Sequence, residues 1–200
     1  MDQPLGPYVG NALEIQQAVR VLHGQTEGFE RFIDISIELA AHLLVHGGLY
    51  TMDQRPETRQ ALRSALATGN AFHKFRDMVA AQGGDVGMID NPTLLPKASE
   101  VIDVTATQAG YVTQIDATAI GWASVALGAG RMKVTDLIDH AVGIEALRFV
   151  GDPVVVGEQL ARLHVNREDR LDKARSLLLG AYKIGPERVE PRPLILETLC

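Results

Sequence analysis

The first seventeen residues, Met1-Asp-Gln-Pro-Leu-Gly-Pro-Tyr-Val-Gly-Asn-Ala-Leu-Glu-Ile-Gln-Gln17, decide how the rest of the chain is read. Pro4, Gly6, Pro7 and Gly10 make the stretch from Pro4 to Gly10 a turn segment. It delivers the backbone into a helix start at Asn11, whose side chain is expected to accept from the N–H groups of the first turn. Glu14, three residues later, has the spacing of the second half of a capping box. Turn-rich backbone running into a helix can aim carbonyls at a ligand or cation. The commoner meaning is a well-made helix start, and spacing alone favours it.

Outward from this stretch the apolar period is 3.6. The spacing predicts a helix from Asn11 to His23, with Ile15, Ala18, Val19 and Leu22 on one stripe and Gly24 as its stop. A second is expected from Glu27 to His46, apolar around much of its circumference and therefore in need of partners. A third begins at Pro56, suited to a first helical turn, and stops at Gly69. A fourth, capped by Asn70, runs to Gly83-Gly84. Residues 83 to 98, rich in Gly, Asp, Asn and Pro, are the best boundary in the chain.

Beyond it the pattern shortens. Glu100 to Thr107 and Gly110 to Asp116 read as two strands around a turn, followed by a helix from Thr118 to Leu127 ending at Gly128-Ala129-Gly130. Further strands are expected at His140 to Ala146, Gln159 to Val165 and Pro193 to Leu199, with a helix from Glu168 to Tyr182. The expected fold is α+β, with residues 1–97 helical and 98–200 a strand-dominated second domain.

The 200 residues hold 19 Lys and Arg against 25 Asp and Glu, a formal charge of −6. That balance opposes a nucleic-acid footprint, which needs clustered cations. No apolar run is long enough to cross a bilayer, and the N-terminus lacks the basic-then-apolar pattern of a signal peptide. The single cysteine, Cys200, can form no internal disulfide. A cytoplasmic location is expected, with no membrane and no nucleic acid as partners.

Met1-Asp-Gln-Pro-Leu-Gly6 followed by Gly10-Asn-Ala-Leu-Glu14 resembles a segment in the second half of the pyrimidine-nucleoside phosphorylase and thymidine phosphorylase family. The resemblance continues through Ala80-Ala-Gln-Gly-Gly-Asp85, Leu95-Pro96, Gly110-Tyr-Val112, Leu127-Gly-Ala-Gly-Arg131, Asp139 to Gly143 and Val150-Gly-Asp152. It implies a helical remnant of an α/β catalytic domain, then a C-terminal α/β-hammerhead domain that is barrel-sandwich-like. It implies an enzyme, a pentosyltransferase, that moves a ribosyl or deoxyribosyl group between a pyrimidine base and phosphate. The complete enzyme would bind pyrimidine nucleoside and phosphate and act as a homodimer. The family's phosphate loop and base-holding residues lie upstream of this segment, so no catalytic or substrate-binding residue is expected here and the chain by itself is expected to be inactive. A truncated chain or a split gene is the expected origin. If the helices pack on a sheet from the absent part, an apolar strip is left open.

The resemblance also implies a monovalent cation in the complete enzyme, held partly by the backbone carbonyls of Leu5 and Tyr8 and the side chain of Gln17. Many relatives carry Glu at the last position. A neutral amide oxygen still ligates a hard cation, with lower affinity.

Other constellations are weaker. His42 and His46 share a helix face but lack a third ligand, and a solvated pair is favoured over a metal site. Asp116, Asp136 and Asp139 sit near turns, where carboxylates cap. Gly128-Ala-Gly-Arg131 could hold an anion through backbone N–H groups and a guanidinium, but a buttressing loop is favoured. Gly151 to Leu160 resembles a half-motif of biotinyl and lipoyl carriers. Met132-Lys133 is not placed between matching strand pairs, so a carrier role is disfavoured. The alternative to the phosphorylase reading is a stand-alone binding or scaffold module.

Overall fold

The computed structural model describes residues 3–198. They fall into two compact units. The first takes the chain up to Ile15 and then Leu95–Pro193; the second takes Gln16–Leu94 and the residues from Leu194 on. Residues 3–15, expected with the helical part, thus pack with the strands.

The first unit is built on two antiparallel sheets. Four strands, β1 (Tyr8–Gly10), β2 (Glu100–Thr105), β4 (Gly143–Ala146) and β6 (Gln159–Val165), pair in the order β1-β4-β6-β2. Three more, β3 (Gly110–Ile115), β5 (Pro153–Val154) and β7 (Tyr182–Gly185), pair in the order β5-β3-β7. Two helices accompany them, α6 (Ala117–Leu127) and α7 (Leu171–Ala181). One apolar core unites both sheets and both helices, with Val112, Ile120, Ile144, Leu160, Leu163 and Leu178 at its centre. The α+β expectation holds, with helices and antiparallel sheets as the observed parts.

Four strand expectations are corrected. Tyr8–Gly10 is a strand, where only a turn was expected. The stretches at 100–105 and 110–115 form no hairpin; they enter different sheets. The helix read as running through Tyr182 ends at Ala181 and passes straight into β7. Residues 193–198 form no strand, and Leu199 lies outside the described residues, as does Cys200. Pro191 and Pro193 remove two backbone donors just where pairing would begin.

The second unit holds most of α1 (Asn11–Leu22) and all of α2 (Glu30–His46), α3 (Arg55–Ala67), α4 (Asn70–Ala81) and the short α5 (Val86–Asp90), the last inside the expected loop. Val19, Phe72 and Ile89 form a buried cluster flanked by Leu22, Phe75 and Val79. The fourth helix is capped by Gly69 in the left-handed region, φ 76°, with Asn70 as its first residue. Along α2 and α3 charges interlock. Glu38 accepts from Arg59 at 2.6 and 2.8 Å and from Arg55, while Arg63 donates to Asp34 at 2.7 Å. Leu39 and Leu43, one turn apart on α2, are 57% and 72% exposed. Among the described residues, no helix is long and apolar enough to cross a membrane.

Candidate functional site

The opening stretch is a strand-to-helix elbow. β1 pairs with β4 through Tyr8 with Glu145, Val9 with Ile144 and Gly10 with Gly143. The glycine rung is forced by close approach. A Cβ on Gly143 would stand 2.5 Å from the Val9 carbonyl oxygen and 2.9 Å from Leu13 Cδ1, and Gly10 holds φ 149°, which favours glycine. The first turn of α1 can therefore sit directly on the end of β4.

Helix α1 starts at Asn11, which makes Gly10 the cap position. Glu14 reaches back past Asn11, its Oε1 accepting from Gly10 N, four residues earlier, at 2.9 Å. The Asn11 side chain has a different task from the one expected. Its Nδ2 donates to Ala129 O at 2.8 Å, tying the elbow to the loop after α6. Ala12 N donates to His140 O at 3.0 Å, a second tie. Between these parts lies a cleft of about 540 Å³, bordered by Val9, Asn11, Glu14, Pro96, Ser124 and His140.

The Gly128-Ala129-Gly130 loop supplies acceptors, not donors. Gly128 N and Ala129 N are spent on Val125 O and Ser124 O, closing the end of α6. The carbonyl of Leu127 accepts from Arg170 Nη1, that of Gly128 from Asp139 N, and that of Ala129 from Asn11. These carbonyls tie the end of α6 to Arg170, Asp139 and the elbow.

The three aspartates act as caps. Asp116 accepts from Thr118 N and Ala119 N at the start of α6, Asp136 from Met132 N and Lys133 N, and Asp139 from Ala141 N and the Asn166 amide. His42 does not pair with His46 on a metal: its Nε2 lies 2.9 Å from Arg55 Nη2 and 3.3 Å from Glu38 Oε1. Among the described residues no group of three His, Cys, Asp or Glu converges on a metal position.

A polar rung not visible in the sequence crosses the four-stranded sheet. Tyr8, Glu145, Arg162 and Asp103 stand opposite one another on β1, β4, β6 and β2. Tyr8 Oη donates to Glu145 Oε1 at 3.3 Å, and Arg162 bridges Glu145 and Asp103 at 3.3 Å each. His164 Nε2 lies 3.9 Å from Glu145 Oε2. The His164 imidazole first, and then Arg162, hold the Glu145 carboxyl below its ordinary range against the opposing effect of burial. Only register brings these four residues together, so no local motif could have announced them.

Of the residues implied as cation ligands, Tyr8 lies in β1, Leu5 precedes it half-buried, and Gln17 lies on α1 with 5% of its surface exposed. Leu5 and Tyr8 belong to the first unit and Gln17 to the second.

Comparison with known proteins shows what these parts are similar to. The model for the pyrimidine nucleoside phosphorylase C-terminal domain matches residues 111–185. A pyrimidine-nucleoside phosphorylase of Geobacillus stearothermophilus is 37% identical over 202 aligned residues, covering 100% of this chain and 45% of that protein. One from Bacillus subtilis (strain 168) is 39% identical, covering 96% of this chain and 43% of its own length. One from Staphylococcus aureus (strain USA300) is 40% identical over 88% of this chain and 40% of its own length. The chain thus spans less than half the length of these relatives. Residues 111–185 are similar to the pyrimidine nucleoside phosphorylase C-terminal domain, and the chain as a whole is similar to the corresponding part of those three enzymes.

Proposed function

We propose that these 200 residues serve as the C-terminal portion of a pyrimidine-nucleoside phosphorylase, a pentosyltransferase. The complete enzyme reversibly converts a pyrimidine nucleoside or deoxynucleoside and phosphate into the free base and the pentose 1-phosphate. The observation that carries the reading is 37% identity sustained along the whole chain to an enzyme of that name. Residues 1–97 then derive from the catalytic domain, and 98–200 make the C-terminal domain of the hammerhead type. The complete enzyme is a cytoplasmic homodimer in this reading.

The chain's own part in such chemistry is positional. The elbow at Gly10 and Asn11, fastened to Ala129 and His140, sets where the opening carbonyls face. Leu5 and Tyr8 would give backbone carbonyls to a monovalent cation and Gln17 an amide oxygen. This all-oxygen, uncharged set suits a weakly held hard cation better than a transition metal.

The test is phosphorolysis of thymidine and uridine, read as release of free base, by this chain alone and after mixing with a separately expressed N-terminal half of a relative. Activity on mixing only is the expected result. Turnover by the chain alone would overturn the view that the reacting groups lie outside it. No activity in either case, with a folded chain, would favour a stand-alone binding module.

A further inference from the structure

Residues 194 and 195 lie in the helical unit, although the chain just before them belongs to the strand unit. Upstream, Gly151 at φ 97° lets the chain pass closely: a Cβ there would meet the Val189 oxygen at 3.0 Å and Pro191 Cδ at 3.6 Å. Pro186, Pro191 and Pro193 stiffen the intervening stretch, which carries no helix or strand. Downstream, Leu194 and Ile195 border a groove of about 270 Å³ on α2 and α3 together with Ile35, Ile37, Arg59 and Arg63.

The groove suits an apolar strap. Ile35 and Ile37 of α2 line it along with Leu194 and Ile195, and its charged groups are already matched, Arg59 to Glu38 and Arg63 to Asp34. An incoming segment therefore has no unpaired charge to satisfy and needs only apolar side chains. The hold is slight, because Leu194 is half-buried, Ile195 is 40% exposed and Leu196 81% exposed. Contact so limited is reversible.

We propose that Leu194 and Ile195 form a releasable latch on the α2–α3 groove, stiffened by the prolines before it, and that its docking governs the local opening of α2 and α3. This stands apart from the phosphorylase reading and does not depend on it. The latch covers a site that a segment of the same sequence could fill in trans.

The experiment is hydrogen exchange on the full chain and on the double variant Leu194→Ser, Ile195→Ser, with a synthetic peptide of residues 192–198 added to the variant. Exchange of α2 and α3 amides is expected to quicken about tenfold in the variant, the loss of part of one or two apolar contacts. Amides of β3 and β6 should keep their rates, and the peptide should restore protection to α2 and α3. Unchanged α2–α3 exchange would overturn the latch, and so would an equal quickening in both units or a peptide without effect. Glu197→Gln, beyond the groove, is expected to exchange like the parent; quickening there would count against the assignment to Leu194 and Ile195.

Discussion

Asn11 and Ala129 are 118 residues apart in sequence and joined by a 2.8 Å hydrogen bond from the Asn11 side-chain amide to the Ala129 carbonyl oxygen. The bond turns a helix-start residue into a clamp on a glycine loop. Replacing Asn11 by Ala leaves that part-buried carbonyl without its donor, a cost of about 1–2 kcal/mol. Asn11→Asp should cost more, because a carboxylate would face a carbonyl oxygen. Urea unfolding followed by Trp122, the chain's only tryptophan and a residue of α6, measures both. An Asp variant as stable as the parent would show that the clamp contributes nothing.

The glycine rung beneath this clamp gives a second expectation. In Gly143→Ala the new methyl would stand 2.5 Å from a backbone oxygen of β1, which cannot swing aside as a side-chain tip would. Strand β1 must move or detach, at a cost of about 2–4 kcal/mol. Gly121→Ala, in α6, has no atom within 4 Å of its Cβ and should be neutral or slightly stabilising by helix propensity. Thermal unfolding of the pair separates a steric cause from a general intolerance of substitution.

The helices were legible because each carries its own evidence: apolar residues at 3.6 spacing, Pro56 in a first turn, glycines at the stops. The elbow was half legible. Glu14 could be foreseen reaching backward, whereas Asn11 looks like a cap until Ala129 is placed beside it. β1 hid among prolines and glycines, and its partner β4 begins 133 residues after β1 ends. β7 escaped because nothing breaks the chain between Ala181 and Tyr182. Tyr182 is committed to the sheet by burial and by donation to the carbonyls of Arg148 and Leu160, none of which is local. The stretch at 193–198 shows the converse, strand-like composition with no neighbour to pair with.

Within the helical unit, Glu38 is the acceptor on which the guanidiniums of Arg55 and Arg59 converge, with His42 Nε2 3.3 Å away. Burial raises its pKa, and the hydrogen bonds from Arg59 and Arg55 more than offset this, leaving it below the ordinary glutamate value. Its side chain is 12% exposed. Glu38→Ala strands both guanidiniums, that of Arg55 beside His42, and should destabilise the α2–α3 pair by about 2–4 kcal/mol. In a double-mutant cycle, Glu38→Ala combined with Arg59→Ala should cost less than the sum of the two single changes. Additive costs would mean that the ion pair is not coupled.

Glu145 links the rung across the four-stranded sheet to acidity. Its carboxyl is held below the ordinary glutamate value of 4.5 by His164 first and Arg162 second. A group whose folded pKa lies below its unfolded one binds its proton more readily when unfolded. Its stabilising contribution is therefore complete above about pH 4.5 and is lost as the pH falls through the lower folded value. Glu38, Asp90, Glu158 and Asp169 are lowered as well, so the pH profile of the parent alone cannot isolate Glu145. The difference between the parent and Glu145→Gln does isolate it, since the glutamine keeps the shape and never titrates. At neutral pH the variant should be the less stable, because Arg162 keeps only Asp103 as a charged partner, beside the Gln159 amide, and Tyr8 loses its charged acceptor. Below pH 4.5 the two stabilities should converge as the parent's carboxylate takes up its proton. Chemical unfolding at several pH values between 3 and 7 reads this directly, and a difference that stays constant across that range would show that the rung is held by shape alone.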